Sequence, residues 1–188
     1  MNDTQRQTAA GKVLWHFTMS LDGFVAGPGH EMDWMTDFTV RPGLIEEYVS
    51  STGAVLGGRD GWDHAAVTDS RPYGGAWHGP LFVLTHHPGD AVPAEGVMFL
   101  SCDVADAARI ALEAAQGKNL EVHSPSIGRQ LLERGLIDEV DLHVAPVLLG
   151  DGIRLYDNPG GHPIRLSTPD GADPSAAVNL RYRPVGRD

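Results

Sequence analysis

Arg59 follows Gly57-Gly58 at the end of a short apolar run. A guanidinium presented there suits an anion clamp, because its planar fork of donors matches phosphate or carboxylate oxygens; a solvated surface arginine is the plainer reading. Asp22, in Ser20-Leu21-Asp22-Gly23, can orient a small ligand or simply close an Asp-Gly turn. Trp34 offers either a flat wall for a heterocycle or a core indole. Ser124 precedes an amphipathic segment running through Gln130, which makes it a helix N-cap before it makes it a nucleophile. The nine histidines show no metal-ligand spacing: His86-His87 point to opposite sides of an extended segment, and His16, His64, His78 and His123 are scattered, so no metal is expected. Gly57-Gly58 is not the Gly-x-Gly-x-x-Gly fingerprint, and no Gly-x-Ser-x-Gly elbow is present; a standard Rossmann domain and a serine hydrolase are both disfavoured.

The elements that must position these residues follow from the apolar pattern. Val13–Thr18, Phe24–Ala26, Ala54–Leu56, Leu81–Thr85, Gly96–Leu100, Leu120–His123 and Val140–Leu149 read as strands. In the last of these Asp141 and His143 alternate with Leu142 and Val144. Helices are expected over Pro42–Ser50, from an Asp103 cap through Ala115, and from Ser124 to about Arg134, where Gly135 closes the end in left-handed conformation. Trp62–His78 has no steady period and reads as mostly loop, while Ile164–Leu166 and Ala177–Tyr182 read as late strands. Residues 1–12 form a polar arm, and 13–188 form one domain. Alternating strands and helices imply an α/β fold with a mainly parallel central sheet, an antiparallel C-terminal edge and helices on both faces.

Composition narrows the partners. The formal net charge is −11, which repels phosphate backbones and argues against nucleic acid. No apolar stretch is long enough to span a bilayer. The single cysteine, Cys102, rules out an internal disulfide framework and fits a cytoplasmic protein.

Met19-Ser20-Leu21-Asp22-Gly23-Phe24-Val25-Ala26-Gly27, followed by Glu31-Met32-Asp33-Trp34, resembles the opening of the riboflavin-biosynthesis reductase branch of the dihydrofolate reductase fold. Ala54-Val55-Leu56-Gly57-Gly58-Arg59 is similar to that family's Gly-Arg turn. The block Gln130–Gly150, continuing to Gly152-Ile153-Arg154-Leu155-Tyr156, resembles its C-terminal segment most closely. Phe24 stands where riboflavin reductases usually carry lysine, which places the chain with stand-alone relatives.

The resemblance implies NADPH, or NADH, lying along the C-terminal strand edges, with nicotinamide near Ser20, Leu21 and Asp22. Gly58, Arg59 and Asp60 would fall at the adenosine 2′-phosphate, Thr85 and His86 at the adenosine wall, and His123, Ser124 and Ser126 at the pyrophosphate. Asp22 would be the catalytic residue; Leu21 and Trp34 would meet a small-molecule substrate. A homodimer is implied as well. Two segments depart from the family: Asp60-Gly61 replaces a basic or small polar residue and threonine, and His123-Ser124-Pro125 replaces a glycine-led turn. An all-trans form of that turn, with Pro125 in the first helical turn, is the expected one. Two functions therefore stand side by side: an NADPH-dependent reductase of a small planar heterocycle, and a repurposed fold without dinucleotide that acts as a non-redox enzyme or a binding protein.

Overall fold

The computed structural model describes residues 11–36, 38–91, 93–167 and 180–182. The chain divides into two compact units, Met1–Tyr156 and Asp157–Asp188. The second has no helix or strand among its described residues.

In the first unit, β1 (Val13–Ser20), β2 (Phe24–Ala26), α1 (Leu44–Ser51), β3 (Thr52–Gly58), α2 (Arg59–Thr68), β4 (Leu81–Leu84), β5 (Val97–Leu100), α3 (Val104–Ala114), β6 (Asn119–His123), α4 (Pro125–Glu133), β7 (Glu139–Ala145) and β8 (Ile153–Arg154) follow in order. Six strands form one sheet, ordered β5-β4-β3-β6-β1-β7, and every pairing in it is parallel. Strands buried on both faces need apolar residues at successive positions, and Val13-Leu14-Trp15 supplies them.

Alternation sorts the helices. Trp15, Leu56, Phe82, Leu120 and Val122 share a core with Ala107, Ala108 and Ala111 of α3 and Ile127 and Leu131 of α4. The opposite face of β1 carries His16, whose ring stacks on Tyr48 of α1 at 4.1 Å. Trp62 of α2 meets Phe99, and Phe99 pairs in register with Val83 on that same face. Thus α1 and α2 cover one side, α3 and α4 the other.

Small residues set how closely the α3–α4 layer approaches. A Cβ at Gly53 would lie 2.2 Å from the Ala115 carbonyl oxygen, and one at Gly128 would lie 2.0 Å from Trp15 Nε1. Asp103 caps α3 by accepting the Ala105 amide at 2.9 Å. Ser124 caps α4 with Pro125 at its first position, no peptide bond among the described residues is cis, and Gly135 has φ +69°.

Several expectations are corrected or bounded. Trp62–Thr68, the greater part of α2, is helical where loop was expected: α2 buries no residue, so no apolar period marks it. β7 ends at Ala145, short of Leu149. Among the described residues the antiparallel pairing joins β2 to β8 in a separate two-stranded sheet beside the mainly parallel one. Ile164–Leu166 is not a strand; of Ala177–Tyr182, residues 177–179 lie outside the described residues and the remainder is not strand. Most of the expected N-terminal arm, residues 1–10, also lies outside them.

Candidate functional site

β3 and β6 are parallel neighbours, with Gly57 level with His123. From their ends the chain turns to opposite faces, α2 to one and α4 to the other. A crevice must open at such a reversal, where ligands of open α/β sheets bind. The cleft found there has a volume of ≈ 2460 Å³, larger than the roughly 300–1,000 Å³ of a single small-ligand pocket. One half lies at the starts of α2 and α4, whose free amides favour an anion. The other half is lined by His16, Tyr48, Tyr73 and His143.

Of the residues singled out in the sequence, Gly58, Arg59, Asp60, Thr85, His86, His123, Ser124 and Ser126 line this cleft. Ser20, Leu21, Asp22 and Trp34 are not among its lining residues. Arg59 is partly committed: Nε donates to Asp63 at 2.7 Å, and its two terminal nitrogens donate to the carbonyls of His87 and Asp90 at 3.2 and 3.0 Å. Five N–H groups leave two for a ligand. Thr85 Oγ1 accepts the His87 amide at 3.2 Å, which fixes the loop that Arg59 grips. Ser124 Oγ lies 3.3 Å from Ser126 Oγ, and a Cβ at Gly58 would sit 3.1 Å from Ser124 Oγ. Asp60 occupies the first turn of α2 and is exposed.

Asp22 is a staple. Its carboxylate accepts the Ser20 hydroxyl at 2.6 Å and the amides of Leu149 and Gly150 at 3.1 and 2.8 Å. Burial alone would raise its pKa, but these donors more than offset that and lower it to about 2. It therefore holds no proton to give near neutrality. Asp22→Asn, which forfeits acceptor capacity, is expected to cost about 1–2 kcal/mol at pH 7. The folded pKa lies below the unfolded one, so this contribution is present above about pH 4 and is lost as pH falls toward 2. Urea midpoints of wild type and variant should converge on acidification; a gap that stays constant with pH would show that the charge is not what the turn uses.

The strongest electrostatic feature was not singled out from sequence. Glu121 is fully buried beneath the ring-lined half of the cleft. His123 Nε2 lies 2.8 Å from its Oε2, the Tyr73 hydroxyl donates to the same oxygen at 2.5 Å, and His16 Nδ1 lies 3.3 Å away. Thr52 Oγ1 donates to Oε1. Burial pushes the Glu121 pKa up, yet hydrogen bonds and positive charge from His123 and His16 win and hold it below the usual carboxylate range. Alongside, Tyr48 donates to Asp141 at 2.7 Å. Burial, helped by His16, lowers the His143 pKa against the opposing pull of Asp141. A signal did exist: Glu121, His123, His16, Asp141 and His143 occupy alternate positions of β1, β6 and β7, so three strands carry polar groups on one face.

Known proteins resemble this chain in sequence or in fold. YwjB of Bacillus subtilis, an uncharacterized protein, is 27% identical over 148 residues, covering 77% of this chain and 82% of its own. A Shewanella protein ascribed to riboflavin biosynthesis superposes with a TM-score of 0.64 at 22% identity, covering 80% of this chain and 86% of that one. Dihydrofolate reductase from Enterococcus faecalis, solved with NADP(H), gives 0.54 at 15% identity over 78% of each chain. At such identities the structures speak for the fold alone, the dihydrofolate reductase-like fold expected from the motifs. Residues 11–168 match the family model of the RibD C-terminal domain, and with this order of strands and this switch-point cleft the chain belongs to that family.

Proposed function

We propose that this protein is a nicotinamide-dependent reductase that transfers hydride from NADPH to a C=N or C=O carbon of a small planar heterocycle. The observation that carries the reading is the two-part cleft: helix N-termini at one end, flat rings at the other. Among similar folds, a Thermotoga maritima protein is named as a diaminohydroxyphosphoribosylaminopyrimidine deaminase and 5-amino-6-(5-phosphoribosylamino)uracil reductase; it matches 82% of this chain and 51% of its own, with a TM-score of 0.58 at 17% identity.

The residues present fit a dinucleotide. Gly57 and Gly58 keep the end of β3 bare, and a side chain at Gly58 would crowd Ser124. Ser124, Ser126 and the amides of α4 would face the pyrophosphate, Arg59 would give its two remaining N–H groups to a 2′-phosphate, and Thr85 and His86 would border the adenosine. NADPH would supply the hydride, and the protein the orientation and electrostatics. Tyr48 and Tyr73, nearly parallel at 15° with centroids 6.0 Å apart, belong to the ring-lined half, with Tyr48 buried against His16. Because Asp22 is ionised and tied to Leu149 and Gly150, water entering the open cleft is the proton source, and Asp22 acts by fixing the turn after β1. Ser20 supports that same turn, while Leu21 and Trp34 act on the substrate side only if the segments that carry them close over the cleft.

A second reading has its own support. Arg59 is bound by three protein partners, and Pro125 brings no N–H to the pyrophosphate turn. A fold that had lost its dinucleotide would tolerate both. Titration with NADPH and NADH, followed by tryptophan quenching and nicotinamide fluorescence, separates the two. Arg59→Ala is expected to weaken NADPH by about 1.5–3 kcal/mol while leaving NADH nearly unchanged. Equal losses would make Arg59 a support for the loop after β4; no binding by wild type would remove the redox reading.

A further inference from the structure

We propose that His16, His123 and Glu121, with the Tyr73 hydroxyl in the fourth position, form a binding site for a divalent transition-metal ion of the zinc class beneath the cleft. The inference does not depend on the reductase reading.

Metal-ligating atoms of His16, Glu121 and His123 all lie within 4.8 Å of one another. Their arrangement is tighter than that figure requires. His16 Nδ1 lies 3.3 Å from Glu121 Oε2 and 3.2 Å from the Tyr73 hydroxyl, while Tyr73 and His123 approach the same Oε2 at 2.5 and 2.8 Å. A tetrahedral ion with bonds of about 2.0–2.1 Å needs ligand separations of about 3.3 Å. Two of these four separations already match it; the His123 and Tyr73 contacts to Oε2 must open by about 0.5 and 0.8 Å, a side-chain adjustment.

Protons alone serve this cluster less well. Three groups crowd onto one carboxylate oxygen with two lone pairs, while the other oxygen receives only Thr52. The chemistry of the set, two imidazoles and a carboxylate, is that of a zinc ligand triad. Its setting is also built. Glu121 is fully buried and His16 is 8% exposed, so neither is a surface residue that happens to lie near an acid. Among the described residues His16 Nε2 has no partner, and Nδ1 is the nitrogen that the cluster engages. Tyr73 reaches Oε2 from a left-handed backbone conformation, φ 56° and ψ 36°, which a bulky residue rarely adopts. The three triad ligands come from rigid strands, His16 from β1 and Glu121 and His123 from alternate positions of the neighbouring β6, while Tyr73 comes from the Pro72–Gly75 turn. His123 is 29% exposed by its side chain and gives the ion a route in from the cleft.

The test uses the full chain, stripped with a chelator and titrated with Co2+. Binding of one ion with the intense visible bands of tetrahedral Co2+, displaced by Zn2+, is expected. Glu121→Gln keeps the shape but loses the charge, and His123→Ala removes a partly exposed ligand; each should weaken the metal more than about tenfold, with folding verified by circular dichroism. Unchanged affinity in folded His123→Ala would overturn the site, as would weak binding with only octahedral bands. X-ray absorption of the Zn2+-loaded wild type needs no variant: a shell with two imidazole nitrogens supports the proposal, and an all-oxygen shell refutes it.

Discussion

Gly128→Ala is expected to destabilise the protein by about 3 kcal/mol, although alanine is the better helix former by about 1 kcal/mol. The two effects oppose each other, and geometry decides between them. The added methyl would lie 2.0 Å from Trp15 Nε1 and 2.1 Å from Cε2. Trp15 is 1% exposed and sits in the central core, so its indole has no free space to move into. Either α4 lifts from the sheet or the indole leaves its rotamer, and both disturb a core packed to near-crystalline density. Because α4 begins at the cleft, its displacement should also move the Ser124–Ser126 turn, and any dinucleotide affinity should fall with stability. A urea or thermal unfolding curve gives the first effect and NADPH titration the second. A midpoint equal to wild type would mean that the Trp15 pocket yields where the close packing says it cannot.

Glu121→Ala should be about as damaging in the metal-free protein, about 3–5 kcal/mol at neutral pH, the range for removing one partner of a buried ion pair. The carboxylate holds Thr52, Tyr73, His16 and His123 together, and its loss strands several buried polar groups at the middle of the sheet. Acid should mimic the substitution. The Glu121 pKa is lower in the folded protein than in the unfolded chain, so its contribution is complete above the unfolded value, near 4.5, and drains as pH falls below it. The wild type should thus lose stability between pH 5 and strongly acid conditions more steeply than Glu121→Ala. Parallel pH profiles would show that the charge of Glu121 is not what secures the cluster.

What the sequence determined by itself was mostly local. The Val13–Thr18 strand, the Asp103 and Ser124 caps and the glycine stop at Gly135 each depend on a few neighbouring residues, and each is found as expected. The α/β class followed from the order of the elements, and the dihydrofolate reductase-like fold from the resemblance carried by the motifs. The body of α2 from Trp62 onward escaped notice because the helix buries no side chain, so the usual apolar period is missing. Only tertiary structure could unite His16, Tyr73, Glu121 and His123, which are separated by up to 107 positions along the chain. Only it could show that Asp22 is consumed by amides 127 and 128 residues away. In a parallel sheet, neighbouring strands come from distant parts of the chain, so the groups a carboxylate meets are set by strand order and register rather than by spacing.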